Sequence, residues 1–197
     1  MTAADVLSIA CDETERPALR PLPDAPARLL CDVGAPPRLV AHLRLVHDVA
    51  VQLIDWVKRR GLDLSIDSAA VCFGAATHDI GKTLYPAELS GPGARHEEAG
   101  RDLLVTHGVA PNLARFAATH ATWTPATGTE DLLVSLADKV WKNKRVPELE
   151  NLVVDRLSAA SGLPAWDEFL KLDEALTVIG DLADDRLSYQ MLFPVSR

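Results

Sequence analysis

Several features that mark secreted, membrane-spanning and nucleic-acid-binding proteins are scarce in this chain of 197 residues. Its three cysteines, Cys11, Cys31 and Cys72, lie far apart and form no CxxC pair. This pattern excludes a disulfide framework and is typical of a cytosolic protein. The chain has no run of 18 apolar residues, and its first residues carry acids in place of a basic leader. We therefore expect a cytoplasmic protein with neither a membrane span nor a secretory signal.

Positive charge and aromatic side chains are also in short supply. Lysine and arginine total 20 against 28 acids, which gives a net charge of −8 and a pI near 5.2. A chain without a surplus of cations is poorly suited to neutralise nucleic-acid phosphates, so we expect no nucleic-acid partner. A small phosphorylated ligand stays compatible, because a local group of cations can hold it within an acidic protein. Aromatic residues make up only 5% of the chain.

What is present is typical of a globular protein: 48% hydrophobic and 24% charged residues, in a length suited to one domain. Six of the thirteen prolines lie within residues 1–37. This segment predicts a short helix followed by an extended stretch. We divide the chain into a Pro-rich N-terminal extension, residues 1–35, packed on the core, and a helical core with C-terminal helices, residues 36–197.

The core shows helical periodicity throughout. Apolar residues recur every three or four positions from residue 39 to residue 57, ahead of Gly61, which predicts a long amphipathic helix. The next helix, opened by Asp67 or Ser68, is apolar on all sides and should be buried at the centre. Further helices are expected over residues 95–106, 111–120, 130–142, 148–160 and 166–188. We find no strand pattern, so the prediction is an all-α bundle of about six to eight helices around a buried central helix.

The central helix ends in the run T-H-D-I-G-K at residues 77–82. His78 and Asp79 converge from its last turn, where they could bind one ion, and Lys82 adds a cation beside them. Imidazole binds a metal without adding charge, and aspartate neutralises the ion. Other candidate ligands lie on or at the ends of separate predicted helices: His42, His96, His120 and Asp138.

Each of these residues also has an ordinary structural interpretation. A single histidine at an apolar helix edge is more often a hydrogen-bonded core residue than a ligand. Asp138 could be a salt-bridge partner of Lys139 or Lys142, and His96 could belong to a solvated helix start. Because all of them arise around one buried helix, we favour a joint metal site.

His42, His78 with Asp79, and Asp138, in this order on separate helices, resemble the HD-domain superfamily of metal-dependent phosphohydrolases. The run at residues 77–82 reads as the HDIGK form of its His-Asp signature. The resemblance covers about residues 36–145 and implies the HD-domain helical bundle. His42 matches the family's pattern of apolar positions, whereas His47 lies closer in sequence to the His-Asp pair. We favour His42 and keep His47 as the alternative.

His96 and His120 resemble the extra pair of HD proteins that hold two metals. That group includes the HD-GYP cyclic-dinucleotide phosphodiesterases and the small bacterial diadenosine tetraphosphate hydrolases. After His120 the chain reads A-T-W-T-P, so the HD-GYP signature is missing and cyclic-dinucleotide cleavage is not expected. The likeness is therefore to the diadenosine tetraphosphate hydrolase type.

The resemblance implies a hydrolase that cleaves a phosphoester or phosphoanhydride bond of a small nucleotide-like substrate with a metal-activated water. Its cofactor would be one or two divalent transition-metal ions (Fe, Mn, Co, Ni or Zn) bridged by Asp79. We expect Asp79 and Lys82 to be catalytic, and Lys82, Arg95 and Lys142 to contact substrate phosphates. The alternatives are an HD-fold di-iron oxygenase and a non-catalytic, metal-binding regulatory domain. A homodimer is left open.

Overall fold

The computed structural model of the chain describes residues 2–195, and every regular element within them is helical, which confirms the all-α prediction. Two short 3₁₀ turns, Ile80–Thr83 and Pro86–Leu89, lie between the fourth and fifth helices. None of the described helices is both long and apolar enough to cross a membrane. The α-helices are α1 (Ala3–Cys11), α2 (Asp24–Asp32), α3 (Pro37–Arg59), α4 (Ser68–Thr77), α5 (Arg95–Thr106), α6 (Pro111–Ala114), α7 (Phe116–Thr119), α8 (Thr129–Val140), α9 (Pro147–Ser161), α10 (Ala165–Gly180) and α11 (Ala183–Met191).

Helices α3 and α4 form the centre of the bundle. Pro37 occupies the first position of α3, where its missing N–H is not needed, and Lys58 and Arg59 place cations in the last turn. Gly61 follows in the left-handed conformation that ends many helices. The α4 helix is the predicted buried helix, and it packs between α3 and α8. The carboxyl end of α4 is therefore surrounded by other helices.

The structure divides some predicted segments more finely. Where an extended stretch was expected in the N-terminal segment, residues Asp24–Asp32 form α2. Its Pro26 lies in the first turn, where a helix tolerates proline because that N–H has no helical acceptor. The helix predicted over residues 111–120 consists of two short helices, α6 and α7, and the one predicted over 166–188 is interrupted between Gly180 and Ala183.

A buried arginine of α3 makes several of the hydrogen bonds that hold the N-terminal segment on this helix. The Arg44 side chain is 1% exposed, and its guanidinium donates hydrogen bonds of 2.6–3.0 Å to four backbone carbonyls. These carbonyls belong to Ile9, Asp12, Leu19 and Arg20. One turn further along α3, Asp48 accepts from the backbone N–H and the guanidinium of Arg20. We refer to Arg44 and its four carbonyls as the Arg44 clamp.

Candidate metal centre

The structure brings six of the predicted ligands into one buried cluster at the carboxyl end of α4. Their candidate ligand atoms form two groups, each with all atoms within 4.8 Å of one another, and Asp79 belongs to both. We call these groups the first and second half-sites. The first contains His42, His78, Asp79 and Asp138, and the second contains Asp79, His96 and His120.

Each ligand comes from a different part of the bundle. His42 lies on α3, and Asp138 lies on α8, which packs against α3 and α4. His78 caps α4, and at Asp79 the backbone leaves the helix (φ −100°, ψ 9°), which turns its carboxylate toward the neighbouring helices. The two adjacent side chains of the His-Asp pair can therefore face one point.

The second half-site depends on a close approach of two backbones. His96 is the second residue of α5, and His120 caps α7. Gly81 packs directly against the carbonyl of His96 and the backbone of Gly100, so a Cβ atom at Gly81 would overlap them. The glycine of the signature thus lets α5 come close enough for His96 to reach Asp79.

Asp79 faces both half-sites through different oxygens. Its Oδ2 lies 3.1 Å from His42 Nε2 and 3.6 Å from His78 Nε2. Its Oδ1 lies 3.0 Å from His96 Nε2 and 3.5 Å from His120 Nε2. This is the arrangement in which one carboxylate can bridge two ions.

Asp138 completes the first half-site. Its Oδ1 lies 3.6 Å from His42 Nε2 and 3.4 Å from His78 Nε2. The first half-site therefore offers two imidazole nitrogens and two carboxylate oxygens. The second half-site offers two imidazole nitrogens and one oxygen of Asp79.

Hydrogen bonds orient three of the four imidazoles. The Nδ1 atoms of His78 and His120 lie 3.0 Å from the carbonyls of Ala75 and Ala117. A carbonyl only accepts, so in both rings Nδ1 carries the proton and Nε2 keeps its lone pair for the cluster. His96 presents its Nδ1 to a carboxylate, which is described below. Metal-ligating histidines are commonly oriented in this way.

The inward-facing atoms lack the partners that buried polar groups normally have. Four such atoms among the described residues make no hydrogen bond of suitable geometry, although they lie only 3.0–3.6 Å from neighbouring ligand atoms: Nε2 of His42, His78 and His96, and Oδ1 of Asp79. The ligand residues are 0–8% exposed. Potential metal-ligand atoms that converge in a buried, carboxylate-containing cluster without hydrogen-bond partners fit a divalent metal.

The electrostatics favour the ligand form of Asp79, Asp138 and His42. For His96 the net effect is the reverse, because burial lowers its pKa and the nearby carboxylates more than offset this. Burial alone raises the pKa of Asp79, but the surrounding imidazoles, His78 foremost, outweigh burial and hold it well below its usual range. Burial also raises the pKa of Asp138, and His78 and Lys139 reverse that effect. For His42 burial dominates and lowers the pKa, which keeps the imidazole neutral. The carboxylates are thus ionised beside a neutral imidazole.

Residues 39–141, more than half of the chain, match the family profile described as HD domain. The chain belongs to the HD-domain family. No curated protein and no solved structure matches the chain. The HD-domain family consists mostly of metal-dependent hydrolases, and the buried His/Asp cluster of this member could hold a divalent metal. The resemblance seen in the sequence is confirmed at the level of the family, and the subtype stays a prediction.

Three lysines lie near Asp79 and Asp138, the two carboxylates of the first half-site. Lys82 Nζ is 2.6 Å from Asp79 Oδ2, and its side chain is 18% exposed. Lys139 Nζ is 2.6 Å from Asp138 Oδ2. Lys142 is exposed, with its Nζ 5.5 Å from the ring centre of Trp141. The first half-site therefore has a positively charged rim.

Two predicted substrate contacts do not touch the cluster in the structure. The Arg95 guanidinium lies over the Tyr85 ring, 4.3 Å from its centre, and Arg95 is exposed. Lys142 has no direct contact with a predicted ligand. Although the residue is exposed, partial desolvation of its ammonium lowers its pKa, and the nearby Asp138 carboxylate acts in the opposite direction. Their proposed roles depend on a substrate that reaches outward from the metals.

His47, the alternative first ligand, lies outside both half-sites. It is 4% exposed, but it belongs to neither half-site. Burial, with help from Arg20 and Arg44, lowers its pKa to about 4. Of the two histidines that the sequence left open, the structure places His42 with the other ligands.

Sequence reasoning missed a charged residue that contacts a ligand of the second half-site. Glu88 lies in the 3₁₀ turn before α5, and its Oε2 is 2.6 Å from His96 Nδ1. Nothing in the sequence relates a loop acid to a histidine eight positions later. Only the path of the loop brings them together.

Proposed function

We propose that this HD-domain protein is a metal-dependent phosphohydrolase that cleaves a phosphoester or phosphoanhydride bond in a small nucleotide-like substrate. The observation that carries the proposal is the division of Asp79, with one carboxylate oxygen facing each half-site at 3.0–3.6 Å from the imidazoles. A carboxylate shared by two half-sites, each with two imidazole nitrogens, suits a pair of transition-metal ions.

The residues of the first half-site would hold one ion, and those of the second half-site would hold the other. The bound ions supply Lewis-acid activation of water and neutralise charge on the phosphate. The chain itself orients the ligands through fixed imidazole tautomers and keeps both carboxylates ionised. Imidazole and carboxylate together suit iron, manganese, cobalt, nickel or zinc.

The lysine rim supports an anionic substrate. Lys82 stands beside the bridging carboxylate and is partly exposed, so it can approach a phosphate oxygen held at the metals. Lys142 is exposed on the side of Asp138, where it would contact a phosphate further from the bond that breaks. Trp123 lies on the same side, with its ring centre 5.9 Å from Lys139 Nζ, and offers a surface for a base.

The proposal is tested by phosphate release from a substrate panel. Protein loaded with Mn(II), Co(II) or Fe(II) would be assayed against phosphomonoesters, mononucleotides and dinucleoside polyphosphates. We expect metal-dependent release of phosphate or of a nucleotide product, without consumption of O₂. Oxygen uptake with Fe(II) and no phosphate release would contradict the hydrolase and favour the oxygenase. Metal binding without turnover of any compound would favour a regulatory domain.

A pair of neighbouring lysines tests the substrate side. Lys142→Ala should raise KM about 5–10-fold with little change in kcat, because it removes a charge that contacts substrate away from the reacting bond. Lys144→Ala is the matched control, since Lys144 is also exposed and is only two residues away. An equal change in both variants would contradict a specific contact by Lys142.

A further inference from the structure

Glu88 is the only described carboxylate that contacts a ligand of the cluster without being predicted as a ligand itself. Its Oε2 lies 2.6 Å from His96 Nδ1 and also accepts from the backbone N–H of His96, at 3.2 Å. Its Oε1 accepts from the backbone N–H of Arg95, at 3.3 Å. The side chain is 10% exposed. Three donors thus fix one carboxylate against the back of a single imidazole.

The loop is shaped around this carboxylate. Gly93 packs against the Glu88 side chain so closely that a Cβ atom there would overlap the carboxyl group. The first N–H groups of α5 have no acceptor within their own helix, and Glu88 supplies one. The position of Glu88 is therefore set by the backbone rather than by a chance surface contact.

His96 differs in this respect from His78 and His120. The Nδ1 atoms of those two rings donate to neutral carbonyls, whereas Nδ1 of His96 faces a carboxylate. A carboxylate is the stronger acceptor, and it draws the Nδ1 proton away from the ring and makes Nε2 a better donor to a metal. Of these three oriented imidazoles, His96 is the one strengthened by a charge.

The two half-sites also differ in the negative charge of their ligands, and Glu88 lies beside the half-site that has less of it. The first half-site has carboxylate oxygens from both Asp79 and Asp138, whereas the second has one oxygen of Asp79 and two imidazoles. A divalent ion in the second half-site would therefore meet less than one full negative charge among its ligands. Glu88 adds a negative charge one imidazole away from that ion.

We propose that Glu88 is the positioning residue of the second half-site and that it determines whether the centre holds one ion or two. The inference rests on the metal centre of the proposed function, and it assigns to Glu88 the difference in affinity between the half-sites. Glu88 fixes the orientation of His96 and raises its strength as a ligand, and the first half-site is independent of it.

The test is a metal titration of the full-length, chelator-stripped protein with Co(II), followed by calorimetry and visible absorption. We expect the wild-type protein to bind two ions. Glu88→Gln should keep the first ion at wild-type affinity and weaken the second about 10–100-fold. Glu98→Gln is the matched control, because Glu98 is an acid in the same first turn of α5 that pairs with Arg101 and does not contact the cluster. This control should bind both ions as the wild type does.

Three results of the titration would overturn the proposal: one ion in the wild-type protein, two ions at unchanged affinity in Glu88→Gln, or equal weakening of both ions. The last would mean that Glu88 only maintains the loop. If Glu88→Gln does not fold, ¹⁵N-histidine NMR of the wild-type protein loaded with Zn(II) tests whether Glu88 acts on His96 as a charged hydrogen-bond partner. We expect the Nδ1 proton of His96 downfield of those of His78 and His120, and coincident shifts would contradict a charged partner.

These readouts separate the inference from the proposed function. Two-ion binding that depends on Glu88, without phosphate release, would leave the inference standing and contradict the hydrolase. Phosphate release with metal affinities that do not depend on Glu88 would do the reverse.

Discussion

The candidate metal centre and the Arg44 clamp are two buried polar regions of this protein, and their polar atoms differ in whether they have hydrogen-bond partners. In the clamp, a guanidinium that is 1% exposed donates to four carbonyls at 2.6–3.0 Å. In the metal centre, equally buried nitrogen and oxygen atoms of His42, His78, Asp79 and His96 have no hydrogen-bond partner. Both regions use residues of α3, and His42 and Arg44 are only two positions apart.

The presence or absence of hydrogen-bond partners distinguishes buried polar groups that stabilise the fold from buried polar groups that are available to bind a ligand. A buried charge with a full set of partners holds elements together, and removing it leaves those partners unsatisfied. Buried donor atoms that converge without partners cost stability unless a ligand satisfies them. We therefore expect substitutions in the clamp to act on stability, and substitutions in the metal centre to act on metal binding and turnover.

The largest effect is expected for Asp79→Asn. The variant replaces the carboxylate shared by both half-sites with a neutral amide, so we expect loss of both ions. Turnover should fall about 1000-fold or more, because the ions contribute several kcal/mol of transition-state stabilisation. Metal analysis and a phosphate-release assay provide the measurement, with the exposed Asp155→Asn as the control. If Asp79→Asn kept two ions and its activity, the proposed role of this cluster in metal binding, which sets it apart from the Arg44 clamp, would be wrong.

The next effect is expected in the clamp. Arg44→Met keeps the length of the side chain but leaves four carbonyls without their donor, so the free energy of unfolding should fall by about 3 kcal/mol or more. Urea denaturation measures this change. Arg28→Met is the control, since Arg28 is exposed on α2 and its loss should cost less than about 0.5 kcal/mol. The metal content of folded Arg44→Met should equal that of the wild type. A variant that keeps its stability and loses its metal would contradict our assignment of the clamp.

A smaller, pH-dependent effect is expected at His47, a buried imidazole beside the clamp. Its pKa is about 4 in the folded protein, against 6.5 for an ordinary histidine. The unfolded chain therefore binds a proton more readily, so this contribution to stability is full above pH 6.5 and is lost as the pH falls toward 4. We expect a loss of about 2 kcal/mol by pH 5.

The measurement is chemical denaturation between pH 7.5 and pH 4.5 in the presence of a chelator. His47→Leu should show a shallower fall in stability than the wild type over this range. The difference between the two proteins isolates His47 from the histidines of the cluster, which titrate in both. Identical slopes would mean that burial does not suppress protonation of His47.

Much of the helical core followed from periodicity and end signals. The bounds of α5 agree with the segment predicted over residues 95–106, because Gly108 and the acids of its first turn mark both ends. The α2 helix was missed because neighbouring prolines indicated an extended chain, although Pro26 lies in a tolerated first-turn position. The break before Ala183 was missed because the apolar pattern continues across it.

The candidate site was only partly readable from the sequence. His78 and Asp79 are adjacent, and the other ligands lie on separate elements, so the pattern of helix ends could suggest them. Choosing between His42 and His47 required the packing of α3, since both are buried. Glu88 could not be found at all, because only the path of its loop places it behind His96.

The most direct test of two half-sites that share Asp79 is the number of metal ions that each chain binds. Wild-type protein and His120→Ala would be saturated with Mn(II) and freed of excess metal. The manganese content per chain would then be measured by elemental mass spectrometry. We expect two ions per chain for the wild type and one for His120→Ala, because His120 belongs only to the second half-site. One ion in the wild type, or two in both proteins, would contradict a centre built from two half-sites that share Asp79.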